Sequence, residues 1–298
     1  MGRLLAAMLG SLLVAVAQDP PKPALQNTGK PIQVDFSCSE QDIEWAGLGC
    51  SEDQPCPIYL ELTAVEPVGA KIVLAGNLHA PSMTLYSILL ASDDGGKTWR
   101  EPFERLRGAG LEQIQFVDFE NGWISGQFLH PLPADPFLLI TSDGGKSWEK
   151  RPIYNESRYG TILQFWFDSK STGSVVIDRG QSSDSSRYEI HESPNGGQSW
   201  MIREAGDRPL RLKRAPAANP DWRIRADRAS RSFQIEARRA GRWVAAAGFL
   251  VHVGDCKPAE RQLAAPPPEP ETPAQPPAPP APPAPKPAKP PSLKRPAK

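Results

Sequence analysis

The sequence predicts an all-β fold built from copies of one strand-rich unit. Three observations carry that prediction. An octapeptide recurs: Ser92-Asp93-Asp94-Gly95-Gly96-Lys97-Thr98-Trp99, then Thr141-Ser142-Asp143-Gly144-Gly145-Lys146-Ser147-Trp148, then, weakened, Ser193-Pro194-Asn195-Gly196-Gly197-Gln198-Ser199-Trp200. Its turn residues Asp94, Asp143 and Asn195 are spaced by 49 and 52 residues, and a fixed period in this range marks a repeat architecture. A strand-like run precedes each copy (Tyr86–Ala91, Phe137–Ile140, Arg187–Ile190), and no long amphipathic helix interrupts the short, regularly spaced runs.

The chain has 298 residues, with 34 Lys+Arg against 34 Asp+Glu. That balance argues against a nucleic-acid binder, whose footprint is strongly basic. Residues 1–17 read as a secretory signal: Arg3 supplies the positive end, Leu4–Val14 the apolar run, and Ala15-Val16-Ala17 a small-x-small cleavage site. The apolar run falls well short of the roughly 20 residues a spanning helix needs. The expected product is exported, periplasmic or extracellular, with no transmembrane segment after cleavage. Residues 18–30 read as a polar, proline-containing linker. Ile32–Ser37 alternates apolar and polar at period two and reads as a strand.

The cysteines are Cys38, Cys50, Cys56 and Cys256. Export permits disulfides, and three connectivities are possible. The short loop between them favours Cys50–Cys56, leaving Cys38–Cys256 to tie the first strand to the last. Such a long loop is worth about 4 kcal/mol in the chain-entropy model. A zinc site is not expected, because no Cys-x-x-Cys pair is present and no His lies nearby in sequence.

Each position of the octapeptide has a structural use. Gly96, Gly145 and Gly197 lie in glycine pairs, which reach positive φ without a Cβ clash. Asp94, Asp143 and Asn195 can accept hydrogen bonds from their own turn, as Ser92, Thr141 and Ser193 can more weakly. Trp99, Trp148 and Trp200 are apolar plates expected to pack under the turn and hold it to the next unit. The octapeptide resembles the Asp-box, or BNR repeat, which joins the third and fourth strands of a β-propeller blade and is structural in that family. Ile114–Asp118 with Gly122-Trp123, and more loosely Leu163–Asp168 with Gly173, extend the resemblance to Ycf48-like and sialidase-type propellers. The resemblance spans about Tyr59–Arg203. It implies a propeller-like array of about four four-stranded blades over residues 31–257, closed or partial. In such an array the chain ends meet, which a Cys38–Cys256 staple fits.

Unit four has no octapeptide. Its strand candidates are Trp222–Arg225, Ser232–Glu236 and Trp243–Val253, and end repeats are commonly atypical. Residues 258–298 are dominated by Pro and Ala and read as a disordered or polyproline II tail.

The resemblance implies two faces. The boxes lie on one; the loops on the other form the face on which related propellers bind ligands. That loop face is expected to collect Asn77, His79, Gln127, His130, Arg179, Arg228 and Arg231. The blade-linking loops add Arg105, Arg107, Arg158, Arg203 and Arg208. An Arg-rich surface meets carboxylates or phosphates through paired hydrogen bonds. No catalytic residue, cofactor or metal ligand is assigned. A sialidase resemblance would bring an Arg triad and a Tyr/Glu nucleophile pair, and also a Phe-Arg-Ile-Pro stretch that this sequence lacks. A glycosidase needs two facing carboxylates, for which Glu61, Asp118 and Asp168 are the candidates. The sequence therefore reads as an exported binding or assembly module, not an enzyme, with an unknown protein partner. The alternative is a carbohydrate-binding or glycoside-processing propeller, with an envelope polysaccharide as its partner. Convergence of Glu61 and Asp168 in one pocket would favour that alternative.

Overall fold

The computed structural model describes residues 23–180, 186–214 and 219–258. The expected signal and proline-rich tail lie outside them. The chain opens with β1 (Leu25–Gln26) and α1 (Glu40–Ala46). Sheet one follows with β2 (Cys56–Val68), β3 (Lys71–Ala80) and β4 (Met83–Ser92), and β5 (Thr98–Trp99) pairs with β1. Sheet two is β6 (Ala109–Phe116), β7 (Gly122–Phe128), β8 (Ala134–Thr141) and β9 (Glu149–Pro152). Sheet three is β10 (Thr161–Phe167), β11 (Gly173–Asp178), β12 (Tyr188–Ser193) and β13 (Met201–Gly206). Sheet four has three strands, β14 (Trp222–Asp227), β15 (Ser232–Arg239) and β16 (Arg242–Leu250). Finally β17 (His252–Cys256) returns to pair with β2 at the edge of sheet one. The result is a propeller-like array of four antiparallel sheets.

The boxes build the same turn three times. Ser92 Oγ, Thr141 Oγ1 and Ser193 Oγ each accept from the second glycine amide of their box, at 2.8 Å in every copy. The first glycine amide donates across to the neighbouring turn of the same sheet: Gly95 to Ala70 O, Gly144 to Glu120 O, Gly196 to Ser171 O. These glycines have φ of 72°, 72° and 73°, and a Cβ at Gly144 or Gly196 would stand under 3 Å from a backbone oxygen. Only glycine fits there. Asp94 and Asp143 close the turn by accepting from the two amides and the hydroxyl that follow. Asn195 keeps the acceptor, taking the Ser199 amide, and donates its Nδ2 to the Ser199 hydroxyl.

The core divides into three buried apolar clusters, each between two sheets. The first joins sheets four and one: Ile235, Ala247 and Phe249 against Leu60, Leu62, Ile72, Leu74 and Trp99. The second joins sheets one and two through Val73, Ala75 and Leu89 against Leu111, Ile124 and Trp148. The third joins sheets two and three through Trp123 and Leu138 against Phe165, Phe167, Val175 and Ile177. The described residues contain no such cluster between sheets three and four. The box tryptophans thus face the preceding sheet, not the following one as the sequence suggested. Trp99 meets Phe249 of sheet four edge-on at 5.2 Å, and Trp148 lies in the seam with sheet one.

Polar side chains clip the same seams by imitating strand pairing. Asn77 Oδ1 accepts from the Leu111 amide at 2.9 Å, and Thr63 Oγ1 donates to Leu111 O at 2.8 Å. One seam on, Gln115 accepts from the Phe167 amide and donates to Phe167 O, both at 2.8 Å. Trp123 stacks on Phe167 at 3.8 Å and donates its indole N–H to Gly196 O of the third box.

Sheet four departs from the repeat. Trp243–Val253 reads as one strand but breaks at Val251. There the Leu60 amide takes Val251 O, and the chain crosses to sheet one as β17. Ile32–Ser37 does not make a full strand either. Only Ile32 pairs, in a parallel bridge to Phe249 with Ile32 N donating to Gly248 O and Leu250 N to Ile32 O. The run turns away to sheet one, where Gln33 Nε2 reaches Val253 O and Cys38 is bonded to Cys256. The disulfides are Cys38–Cys256 and Cys50–Cys56. The first closes a loop of 218 residues, worth about 5 kcal/mol in the chain-entropy model.

Candidate functional site

The residues expected on the loop face fall into different environments. Asn77 and Gln127 are buried in the sheets: Asn77 is a seam clip, and Gln127 Nε2 donates to Glu112 Oε1 at 2.6 Å. Polar residues near strand ends look alike in sequence whether they point into a seam or into water. His79 packs its ring 5.9 Å from Tyr59, and His130 packs edge-on to Trp45 at 5.4 Å. Arg228 and Arg231 are exposed, and Arg231 holds its loop by accepting the Val251 amide through its backbone carbonyl. Arg179 is drawn inward to a buried carboxylate.

That carboxylate is Glu189 on β12, which the sequence did not single out. Its Oε2 accepts from Tyr154 OH at 2.7 Å and from His191 Nε2 at 2.8 Å, and its Oε1 accepts from Arg179 Nη1 at 2.8 Å. Arg158 and Arg179 both lie over the Tyr154 ring. Burial works against the Glu189 charge, yet the Tyr154 and His191 hydrogen bonds and the Arg179 charge hold its pKa below the usual value. Burial and the neighbouring Glu189 push the Tyr154 phenol up, and burial pushes the His191 imidazole down. Tyr154 therefore stays protonated and donates. A tyrosine nucleophile needs the opposite bias. This cluster locks sheet two to sheet three, because Glu189 is held by three donors from both sides and is nearly inaccessible.

The candidate glycosidic carboxylates do not meet. Asp118 caps a box-end turn, accepting from the Glu120 and Asn121 amides. Asp168 lies in the corresponding turn of sheet three, paired with Arg214 at 2.9 Å. Glu61 is on β2 opposite Asn77, toward the other end of the sheets. Among the described residues, no three His, Cys, Asp or Glu side chains are grouped to hold a metal ion, and no helix is long and apolar enough to cross a membrane.

What gathers at the loop end is a set of arginine–tyrosine stacks. Arg107 lies over Tyr86 at 5.8 Å, Arg158 over Tyr154 at 5.4 Å and Arg187 over Tyr188 at 5.0 Å. The first is tied to α1: Asp42 accepts from Tyr86 OH at 2.5 Å and pairs with Arg107 at 3.0 Å. Ser39 and Asp42 form a capping box and Gly47 ends the helix in the left-handed region. Ser39-Glu40-Gln41-Asp42 was the local signal for this element. A groove of about 970 Å³ opens beside it, lined by Phe36, Tyr86 and Phe103. Its Arg105 is already paired with Glu101 and Asp35 O.

No family model matches the chain, and no curated protein matches it by sequence. Solved structures similar to it are propellers. A structure described as YCF48 bound to D1 peptide shares 17% identity at a TM-score of 0.35, covering 65% of this chain and 54% of that one. The phage phi92 endosialidase shares 8% identity at 0.35, covering 70% and 44%. The Penicillium chrysogenum alpha-L-arabinanase complexed with arabinobiose shares 13% at 0.35, covering 72% and 62%. The chain thus spans about half the length of the YCF48 structure it matches.

Proposed function

We propose that this chain is an exported, non-enzymatic binding module that presents its loop end to a protein partner. The observation that carries this reading is the Arg107–Tyr86, Arg158–Tyr154 and Arg187–Tyr188 series on three successive sheets. Aromatic residues and arginine are enriched at protein interfaces; Arg107 and Arg187 are paired with Asp42 and Asp178, and with five N–H donors each guanidinium keeps further donors for a partner's acceptors. The glycoside-processing alternative is less well supported, because Glu61 lies within β2 opposite Asn77, Asp168 lies in a turn and is paired with Arg214, and Glu189 is committed to its neighbours.

The test is affinity capture from the envelope and medium of the source cells. The full chain serves as bait beside a variant carrying Arg107→Ala, Arg158→Ala and Arg187→Ala. A protein retained by the first and lost by the second supports the reading. Retention of envelope polysaccharide without any protein partner moves the alternative to first place.

A further inference from the structure

We infer that the outer edge of sheet four is a docking site for an extended peptide alternating acidic and apolar residues. This deepens the binding-module reading and rests on it.

Among the described residues, sheet four lacks the outermost strand that sheets two and three have. Sheets two and three carry a fourth strand, β9 or β13, along their outer edge. Sheet four stops at β16. The hairpin Arg239↔Arg242 turns on Ala240 and Gly241, both at positive φ. In a two-residue hairpin the closing pair exchanges hydrogen bonds and the pairs then alternate. Trp243, opposite Arg238, is therefore a non-bonded pair whose N–H and C=O point away from β15. Arg238 obeys the same rule, sending its amide to Asp221 O. Ala245, opposite Glu236, points outward likewise.

The chain already uses half of this edge. Ile32 takes Gly248 O and Leu250 N, and Asn27 Nδ2 takes Ala246 O at 2.8 Å. The outward backbone groups of Trp243 and Ala245 have no partner among the described residues. A peptide here would continue an existing pairing, over a length comparable to the four residues of β9.

The flanking side chains state the chemistry of the occupant. The face that carries Trp243 holds Arg223, Arg225 and Arg238 against Glu236 and Asp227, while Arg239 and Arg242 close the hairpin on the face of Val244. Glu236 is paired by Arg223 and Arg225. Arg223 also lies over the Trp243 ring at 4.2 Å. On that face a peptide side chain beside Trp243 meets a net positive surface, which favours carboxylates. On the other face Val244 is 46% exposed, which favours an apolar side chain. Alternating faces give alternating chemistry.

The test uses the full chain and three labelled octapeptides, alternating Glu/Val, Gln/Val and Lys/Val, read by fluorescence anisotropy. The Glu/Val peptide should bind about tenfold or more tightly than the Gln/Val one, and the Lys/Val peptide should not bind. Ala245→Pro, which removes one outward N–H at an edge that tolerates proline, should weaken Glu/Val binding about tenfold, while Ala245→Ser leaves it unchanged. Arg238→Glu, on the face of Trp243, should weaken it likewise without moving the thermal midpoint. No binding of any peptide, or binding indifferent to Ala245→Pro at an unchanged midpoint, overturns the inference; the arginines then only keep the edge from self-pairing. A partner captured through the loop-end arginines but indifferent to Ala245→Pro would leave the binding-module reading standing while this one fell.

Discussion

Sheets two and four invite comparison. Both are antiparallel hairpin sheets, and each packs an apolar face against sheet one. Sheet two is bound on both sides. Leu111 is clipped by Asn77 and Thr63 from sheet one, while its own Gln115 and Trp123 clip sheet three. Among the described residues, sheet four is bound on one side. Its other face carries Arg223, Arg225 and Glu236 where sheet two carries Gln115 and Trp123. A sheet with two sealed faces is a link in an array; one with a single sealed face is an end. The same contrast separates a structural polar residue from a recognising one: Gln115 has spent its hydrogen bonds, whereas Arg238 and Arg242 have not.

The strongest way to break the comparison is to remove what replaces a seam around sheet four. Cys38→Ser with Cys256→Ser should lower stability by about 5 kcal/mol at most, with chemical denaturation as the readout. It should loosen β17 and the Ile32 bridge before sheets two and three. Next comes the sealed side: Trp123→Ala, which empties a buried stack and frees Gly196 O, should cost about 3–5 kcal/mol in the same assay. Arg238→Glu, on the open side, should stay within about 0.5 kcal/mol.

Two pH tests sharpen the account further. Hydrogen bonds from Thr98 and Ser92 hold Asp94 at about 2. At Asp143, burial is outweighed by those from Ser147 and Thr141, giving about 2 as well. Both lie below the ordinary 3.8, so this stability is present in full above about pH 4 and is lost as pH falls toward 2. Asp143→Asn should flatten that limb of a pH–stability curve, and Asn195→Asp should steepen it. Glu66 runs the other way. It occupies on β2, opposite Val73, the place Gln115 holds on β6 opposite Trp123, and burial raises it to about 7 from 4.5. The fold favours its protonated form, so its contribution is greatest below about pH 4.5 and is lost as pH rises through 7. Glu66→Gln should be the more stable protein at pH 8, by thermal melts.

The repeat was readable because its turns are local. Asp94, Gly95, Gly96 and Trp99 lie within six residues, and their chemistry recurs in register. The disulfide pairing was readable from loop length and from chain ends that meet. The seams were not, because Gln115 and Phe167 are 52 residues apart and nothing local marks them as partners. Asn77 and Gln127 were misplaced for the same reason. The Tyr154–Glu189–Arg179 cluster joins three segments, of which only Arg179 stood out. The open edge of sheet four was hidden because Trp243–Val253 reads as one uninterrupted strand, and only its pairing shows which backbone groups are left over.

Native-state hydrogen exchange tests the contrast between sealed and open sheets most directly. The amides of Leu111 and Phe167, held by Asn77 and Gln115, should exchange only through global unfolding. Those of Trp243 and Ala245 should exchange near the intrinsic rate of an unprotected chain. Protection at Trp243 and Ala245 equal to that at Leu111 would contradict the account, because it would mean that the outer edge of sheet four is already covered in the free protein.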